Sequence, residues 1–109
     1  MSIFMIVDTK LEELVDLQLK ALADPARRKI IRLLRSKGRC SCRQVSASDS
    51  GMCVCDLEGE LHLTQPTITH HVQILREAGL ITNRKIGRWL YCCRNERALD
   101  RLAAWLRKL

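Results

Sequence analysis

The sequence predicts a mainly α-helical fold of about five helices with a single small β-hairpin. Three observations predict it. Apolar residues recur at helical spacing in most segments. The candidate core is aliphatic, since Phe4, Trp89, Tyr91 and Trp105 are the only aromatic residues among 109. That composition suits packed helices better than aromatic-rich strands. Strand-like residues are confined to two short runs that turn at Gly87. The length allows one compact domain over residues 1–109 and not two.

The first helix is expected from Asp8 to Ala23, with Leu11, Leu14, Val15, Leu19 and Leu22 forming a broad apolar surface. Asp24-Pro25 starts a second helix, with Asp as N-cap and Pro in the first turn, where its missing N–H costs nothing. That helix runs to about Arg35, with Ile30, Ile31 and Leu34 on one face. Ser36 to Gly51, dense in Ser, Gly and Asp, reads as loop and holds Cys40-Ser41-Cys42. A short third helix is expected from Met52 to about Leu61, with Leu61-His62-Leu63 as the turn after it. Thr64 caps a fourth helix, which tolerates Pro66 in its first turn. Gly79 ends that helix, and strands at about Ile81–Ile86 and Arg88–Arg94 follow. A last helix from about Asn95 carries Leu99, Leu102, Ala103 and Leu106 on one stripe.

Short helix, turn, capped helix and basic hairpin in that order make a winged helix-turn-helix. Charge agrees with it. The formal net charge is +7, and from Arg76 to Leu109 nine basic residues face three acidic ones. A basic half on a small domain is an electrostatic footprint for a polyanion. The fourth helix has an apolar stripe of Ile68, Val72 and Leu75 for packing and a polar side for base edges. The candidate DNA contacts are Thr64, Gln65, Pro66, Thr67, Thr69, His70 and Gln73, with Arg84, Lys85 and Arg88 of the hairpin on the phosphates. His62, His70 and His71 read as turn or DNA-face residues.

Six cysteines in a chain with no signal-peptide pattern and no span of about 18 apolar residues point to a reducing, cytosolic setting without a membrane. There they read as metal ligands or reactive thiols, not as disulfides. Cys-X-Cys occurs twice, at Cys40/Cys42 and Cys53/Cys55. Thiolates favour soft ions such as zinc, cadmium, lead and trivalent arsenic. Residues two apart on a regular α-helix stand about 200° apart. Cys53 and Cys55 therefore sit in an irregular first turn, or binding distorts their helix. Cys92 and Cys93, adjacent on a strand, point to opposite faces, and at least one reads as a small buried hydrophobe. Neither a Cys-X-X-Cys motif nor the strand–helix unit of a dithiol oxidoreductase is present, so an enzyme is not expected.

Residues 21–94 resemble the ArsR/SmtB family of arsenical- and metal-responsive repressors. Ala21-Leu22-Ala23-Asp24-Pro25-Ala26-Arg27 is similar to its "ALADPTR" opening, and Cys53-Val54-Cys55-Asp56-Leu57 to its "CVCDL" block. Leu63 to His71 resembles "LSQPTVSHHL", Leu75 to Ile81 resembles "LREAGLV", and Gly87 to Tyr91 resembles "GRWVYY". The resemblance implies a homodimer joined through its first and last helices, bound to operator DNA when metal-free and released by metal. In the arsenical repressors a third cysteine completes "CVCDLC", and here that place is Glu58. The third thiolate is then expected from Cys40 or Cys42. As(III) is the leading inducer, and all four thiolates together suit Cd(II), Pb(II) or Zn(II). Thiol oxidation is the alternative signal.

Overall fold

The computed structural model describes residues 3–35 and 52–109; for Ile3 to Asp8, Ile86 and Trp89 it describes the backbone alone. Among the described residues the elements are α1 (Ile3–Leu22), α2 (Pro25–Arg35), β1 (Met52–Cys53), α3 (Val54–Leu61), α4 (Gln65–Glu77), β2 (Ile81–Ile86), β3 (Trp89–Arg94) and α5 (Glu96–Arg107). The expected loop at 36–51 lies outside the described residues.

The predicted order of helices and wing is the observed one, with three local corrections. First, α1 begins at Ile3, five residues before the expected start at Asp8. Extending an existing helix fixes one residue per added bond, far cheaper than starting one. Second, the chain at Met52–Cys53 is a strand and not the start of the third helix, which begins at Val54. This β1 pairs antiparallel with β3, Met52 opposite Cys92 and Cys53 opposite Tyr91, so the sheet has three strands in the order β1-β3-β2. A two-residue strand is too short to show a period of two. It forms because the outer edge of β3 offers backbone groups that need partners. Third, Thr64 occupies the N-cap of α4 with extended backbone, but its side chain makes no cap bond. Its hydroxyl lies 2.9 Å from that of Thr67 instead.

The other boundary signals act as expected. Asp24 Oδ1 accepts from the backbone N–H groups of Ala26 at 2.8 Å and Arg27 at 3.3 Å. Gly79 (φ +75°) closes α4 as a Schellman motif: Gly79 N–H donates to Arg76 O at 2.9 Å and Leu80 N–H to Leu75 O at 3.0 Å. Gly87 (φ +59°) opens the tight turn of the hairpin, whose register sets Arg84 opposite Tyr91 and Ile86 opposite Trp89. Asn95 caps α5 by accepting from Ala98 N–H at 3.2 Å, while its amide donates to Gly79 O at 2.9 Å. One side chain thereby joins the end of α4 to the start of α5.

The core gathers Ile30 and Leu34 of α2, Leu57 of α3, Ile68, Val72 and Leu75 of α4, and Leu80 and Ile81 beside them. Ile30, Leu57, Ile68, Leu75 and Leu80 are completely buried. Only part of α1 joins this core. Val15, Gln18 and Ala21 face inward, whereas Leu11, Leu14, Leu17 and Leu19 remain exposed. Gln18 is buried among apolar groups and is satisfied by donating to Ala78 O at 3.1 Å.

Candidate nucleic-acid interface and thiol site

The buried stripe of α4 fixes what its other side presents. With Ile68, Val72 and Leu75 packed inward, Gln65, Pro66, Thr67, Thr69, His70 and Gln73 are all exposed. Gln65, Pro66, Thr69, His70 and Gln73 line one open concavity of about 470 Å³. Gln73 Nε2 donates to Glu77 Oε1 at 3.2 Å, a bond that must open before this amide can read a base. Arg84, Lys85 and Arg88 are exposed on the hairpin. The Arg84 guanidinium lies 6.0 Å from the centre of the Tyr91 ring, which props it on the wing.

The thiol pair sits where strand becomes helix. Cys53 is the N-cap of α3 with extended backbone (φ −80°, ψ 158°), and Cys55 is the second residue of the helix. That break removes the opposed directions of a regular helix. The Cα atoms are 5.5 Å apart and the two sulfurs are in disulfide contact. Of the two expected ways to bring them together, the irregular first turn is the observed one. Asp56 joins them, with Oδ2 at 3.4 Å from Cys53 Sγ, and the donor atoms of all three residues lie within 4.8 Å of one another. The three-residue spacing of Cys53 and Asp56 around one helical turn was the available signal for this carboxylate. The expectation of free thiols is corrected at this pair, where the short turn brings the two sulfurs into a disulfide; once reduced, two thiolates and a carboxylate are a donor set that fits a soft or borderline ion.

The space beside the pair is shared. A pocket of about 240 Å³ has Cys53, Cys55 and Glu58 on one wall, Gln65 and Thr69 of α4 on another, and Arg88 of the wing on a third. Whatever fills this space touches residues of both candidate DNA-contacting elements. Glu58, at the place of the third family thiol, lines it without being part of the close donor cluster.

The remaining sequence candidates divide. Cys40 and Cys42 lie outside the described residues. Cys92 is completely buried, and burial, aided by neighbouring Cys93, pushes its thiol up to about 12. It is an inert core residue, as expected of at least one of the two. His62 is the exposed C-cap of α3, in left-handed conformation at φ 55°. His70 is exposed on the polar face of α4, but His71, grouped with the turn and DNA-face residues by sequence, is half-buried on another side. Its Nδ1 lies 3.2 Å from Arg27 Nη1. Burial holds its pKa below the ordinary histidine value; Arg27 and His70 push the same way, and Asp24 opposes them. Adjacent helical residues diverge by about 100°, so a histidine pair cannot share one face.

The sequence profile described as "Bacterial regulatory protein, arsR family" matches residues 46–83. A curated relative from Bacillus subtilis (strain 168), named "Uncharacterized HTH-type transcriptional regulator YbzH", is 32% identical over 90 residues, covering 81% of this chain and 90% of that protein. The chain belongs to the ArsR family of bacterial regulatory proteins. ArsR-family relatives include the "Arsenical resistance operon repressor" of Escherichia coli (strain K12), 36% identical over 90 residues that cover 83% of this chain and 63% of that protein. The chain spans 65%, 63% and 47% of the length of three curated relatives it matches. The fold is also that of a solution structure from Mycobacterium bovis described as a homodimeric winged helix-turn-helix DNA-binding domain. The likeness has a TM-score of 0.69 at 21% identity, covering 91% of this chain and 81% of that one. ArsR-family members are transcriptional regulators and not enzymes.

Proposed function

We propose that residues 1–109 act as one winged helix-turn-helix unit, a transcriptional repressor that binds operator DNA and is released from it by a thiol-held metal(loid). Trivalent arsenic is the leading inducer, with Cd(II), Pb(II) and Zn(II) next. The observation that carries this reading is the shared pocket. Cys53 and Cys55 open onto the same space as Gln65, Thr69 and Arg88, so an ion on the sulfurs is in reach of the reading helix and the wing. Reduced Cys53 and Cys55 hold the ion, and a thiolate of Cys40 or Cys42 completes the three sulfurs that As(III) favours. The names of the arsenical repressors among its relatives support arsenic over the other ions. In operator binding, Thr64, Gln65, Pro66, Thr67, Thr69, His70 and Gln73 enter the major groove. Arg84, Lys85 and Arg88 grip phosphate.

The working unit is a homodimer in the cytoplasm. Leu11, Leu14 and Leu17 of α1 and Leu106 of α5 are 42–51% exposed, a large apolar surface for so small a domain. A groove of about 130 Å³ between α1 and α5, walled by Leu14, Val15, Leu102 and Trp105, gives a second copy a place to seat. Twofold pairing through these helices sets two copies of α4 about one DNA turn, 34–36 Å, apart. No helix among the described residues is long and apolar enough to cross a membrane.

The test is operator binding titrated with arsenite, cadmium, lead and zinc under reducing conditions. Release at micromolar arsenite, with weaker or no response to the divalent ions, is the expected result. Release by none of the four ions refutes the metal(loid) reading. The disulfide contact of Cys53 and Cys55 favours a second reading, in which a peroxide-class oxidant takes two electrons and two protons from the pair and is itself reduced. Release by peroxide but by none of the ions selects it.

A further inference from the structure

Paired reading of DNA demands that each reading helix keep a fixed attitude to the helix that joins the subunits. The described structure contains two polar ties between those helices. Gln18 of α1 donates through Nε2 to Ala78 O, the C-cap of α4, at 3.1 Å. The second tie runs through Arg27. Its Nε donates to Ala21 O at 2.6 Å and its Nη2 to Lys20 O at 3.3 Å. Both carbonyls belong to the last turn of α1, where helical partners run out and a cation suits the negative end of the helix. The third arm of the same guanidinium, Nη1, lies 3.2 Å from His71 Nδ1, in the middle of α4. A guanidinium has donors only. Nδ1 is therefore the acceptor, and His71 is neutral with its proton on Nε2.

We propose that Arg27 and His71 are positioning residues that lock the reading helix α4 to α1, and that protonation of His71 opens the lock. The proposal rests on the reading of α4 as the DNA-reading helix and α1 as a subunit-joining helix. A proton on Nδ1 turns the acceptor into a second donor and sets two cations face to face. The charged or titratable groups that face His71 are Asp24 at the start of α2, Arg27 of α2, and His70 of its own helix. The Asp24 carboxylate is the counter-charge among them, and it is already engaged by the N–H groups of Ala26 and Arg27. Burial and the Arg27 charge favour the neutral imidazole, in keeping with the closed lock as the resting state near neutral pH. With the lock open, the Gln18 bond is what remains, among the described residues, of the two polar ties between α1 and α4, and the half-site spacing of the two reading helices is held less firmly. Sequence-specific binding then falls, while sequence-independent attraction to phosphate, set by the wing and net charge, does not.

The test uses the full chain carrying His62→Asn and His70→Gln, which leaves His71 as the one histidine of the original three. The probe is a duplex enriched by this parent from a random-sequence pool, followed by fluorescence anisotropy from pH 8.0 to 5.5 at constant ionic strength. The parent is expected to lose about tenfold in affinity for the enriched duplex across that range, the scale of one charge-assisted hydrogen bond. Its affinity for an unselected duplex should not fall. His71→Asn places an amide oxygen where Nδ1 stood. It should match the parent at pH 8.0 and keep its affinity in acid. His71→Leu should bind about tenfold more weakly at every pH. Parent-like acid loss in His71→Asn, or parent-like affinity of His71→Leu at pH 8.0, overturns the lock. Should His71→Leu fail to fold, His71→Asn decides alone. If the parent enriches no duplex, the His62→Asn chain, which keeps His70, takes its place; failure of that chain as well refutes DNA reading itself, and the lock with it.

Discussion

Replacing Arg88 by Ala separates the wing's two proposed roles, holding phosphate and sensing the thiol pocket. Arg88 follows Gly87 in the hairpin turn, is exposed, and lines the space beside Cys53 and Cys55. Each phosphate contact contributes about 0.9 to the slope of log affinity against log salt. A dimer carries two wings, so Arg88→Ala should flatten the slope by about 1.8. Between 50 and 200 mM salt, a fourfold change, the advantage of the wild type over the variant should shrink by about twelvefold. The shared pocket adds a sharper expectation. Arsenite should flatten the wild-type slope by a similar amount, because the occupant displaces Arg88 from its phosphate, and should leave the variant's slope unchanged. The assay is anisotropy on a fixed duplex at five salt concentrations, with and without arsenite, in reducing buffer. Parallel slopes for wild type and variant would refute the phosphate contact. An equal arsenite-driven change in both proteins would show that the signal does not pass through Arg88.

Substituting Cys53 or Cys55 by Ser should leave operator affinity intact and abolish ion-driven release, and the Cys40/Cys42 double variant should behave the same way. The Cys92/Cys93 double variant should respond normally, and the opposite pattern in ion titrations of the two doubles would move the missing thiolate to the wing strand. Asp24→Ala removes the cap of α2 and should cost about 1 kcal/mol in urea unfolding. Desolvation raises the Asp24 pKa, but bonds from the Arg27 and Ala26 N–H groups and the Arg27 charge outweigh it, so the net shift is below the ordinary 3.8. The unfolded chain therefore binds the proton first on acidification. The cap's charge contribution is present above pH 3.8 and is lost as pH falls through the lower folded value, so wild type and variant should converge there. Leu14→Glu combined with Leu106→Glu should yield a folded monomer by sedimentation at micromolar concentration, and a persistent dimer would place the interface elsewhere.

Local signals were the legible ones. The cap at Asp24, the glycines at 79 and 87, and the stripe of Ile68, Val72 and Leu75 each act over a few residues, and each marks the boundary or face the structure has. A feature that depends on partners distant in sequence leaves no such local mark. β1 exists because β3 offers an edge to it, and no periodicity within Met52–Cys53 announces that. The place of His71 depends on Arg27, 44 positions earlier. Two adjacent histidines look alike in a sequence, yet one is exposed on the polar face of α4 and the other is half-buried against a guanidinium.

The sequence by itself determined the helix-turn-helix order, the polar face of α4, the basic wing and a pair of thiols two residues apart. All of these follow from hydrophobic spacing, capping and composition, which are properties of the chain alone. Only the tertiary structure decided that the cysteine pair, α4 and Arg88 border one space, and that Gln18 and Arg27 tie α1 to α4. The physical reason is packing. Burying Leu57, Ile68 and Leu75 in one core brings α3 against α4, and pairing β1 with β3 carries Cys53 to the base of the wing. Neither approach is specified by any short stretch of residues. Each arises because separate apolar faces and strand edges must be covered together.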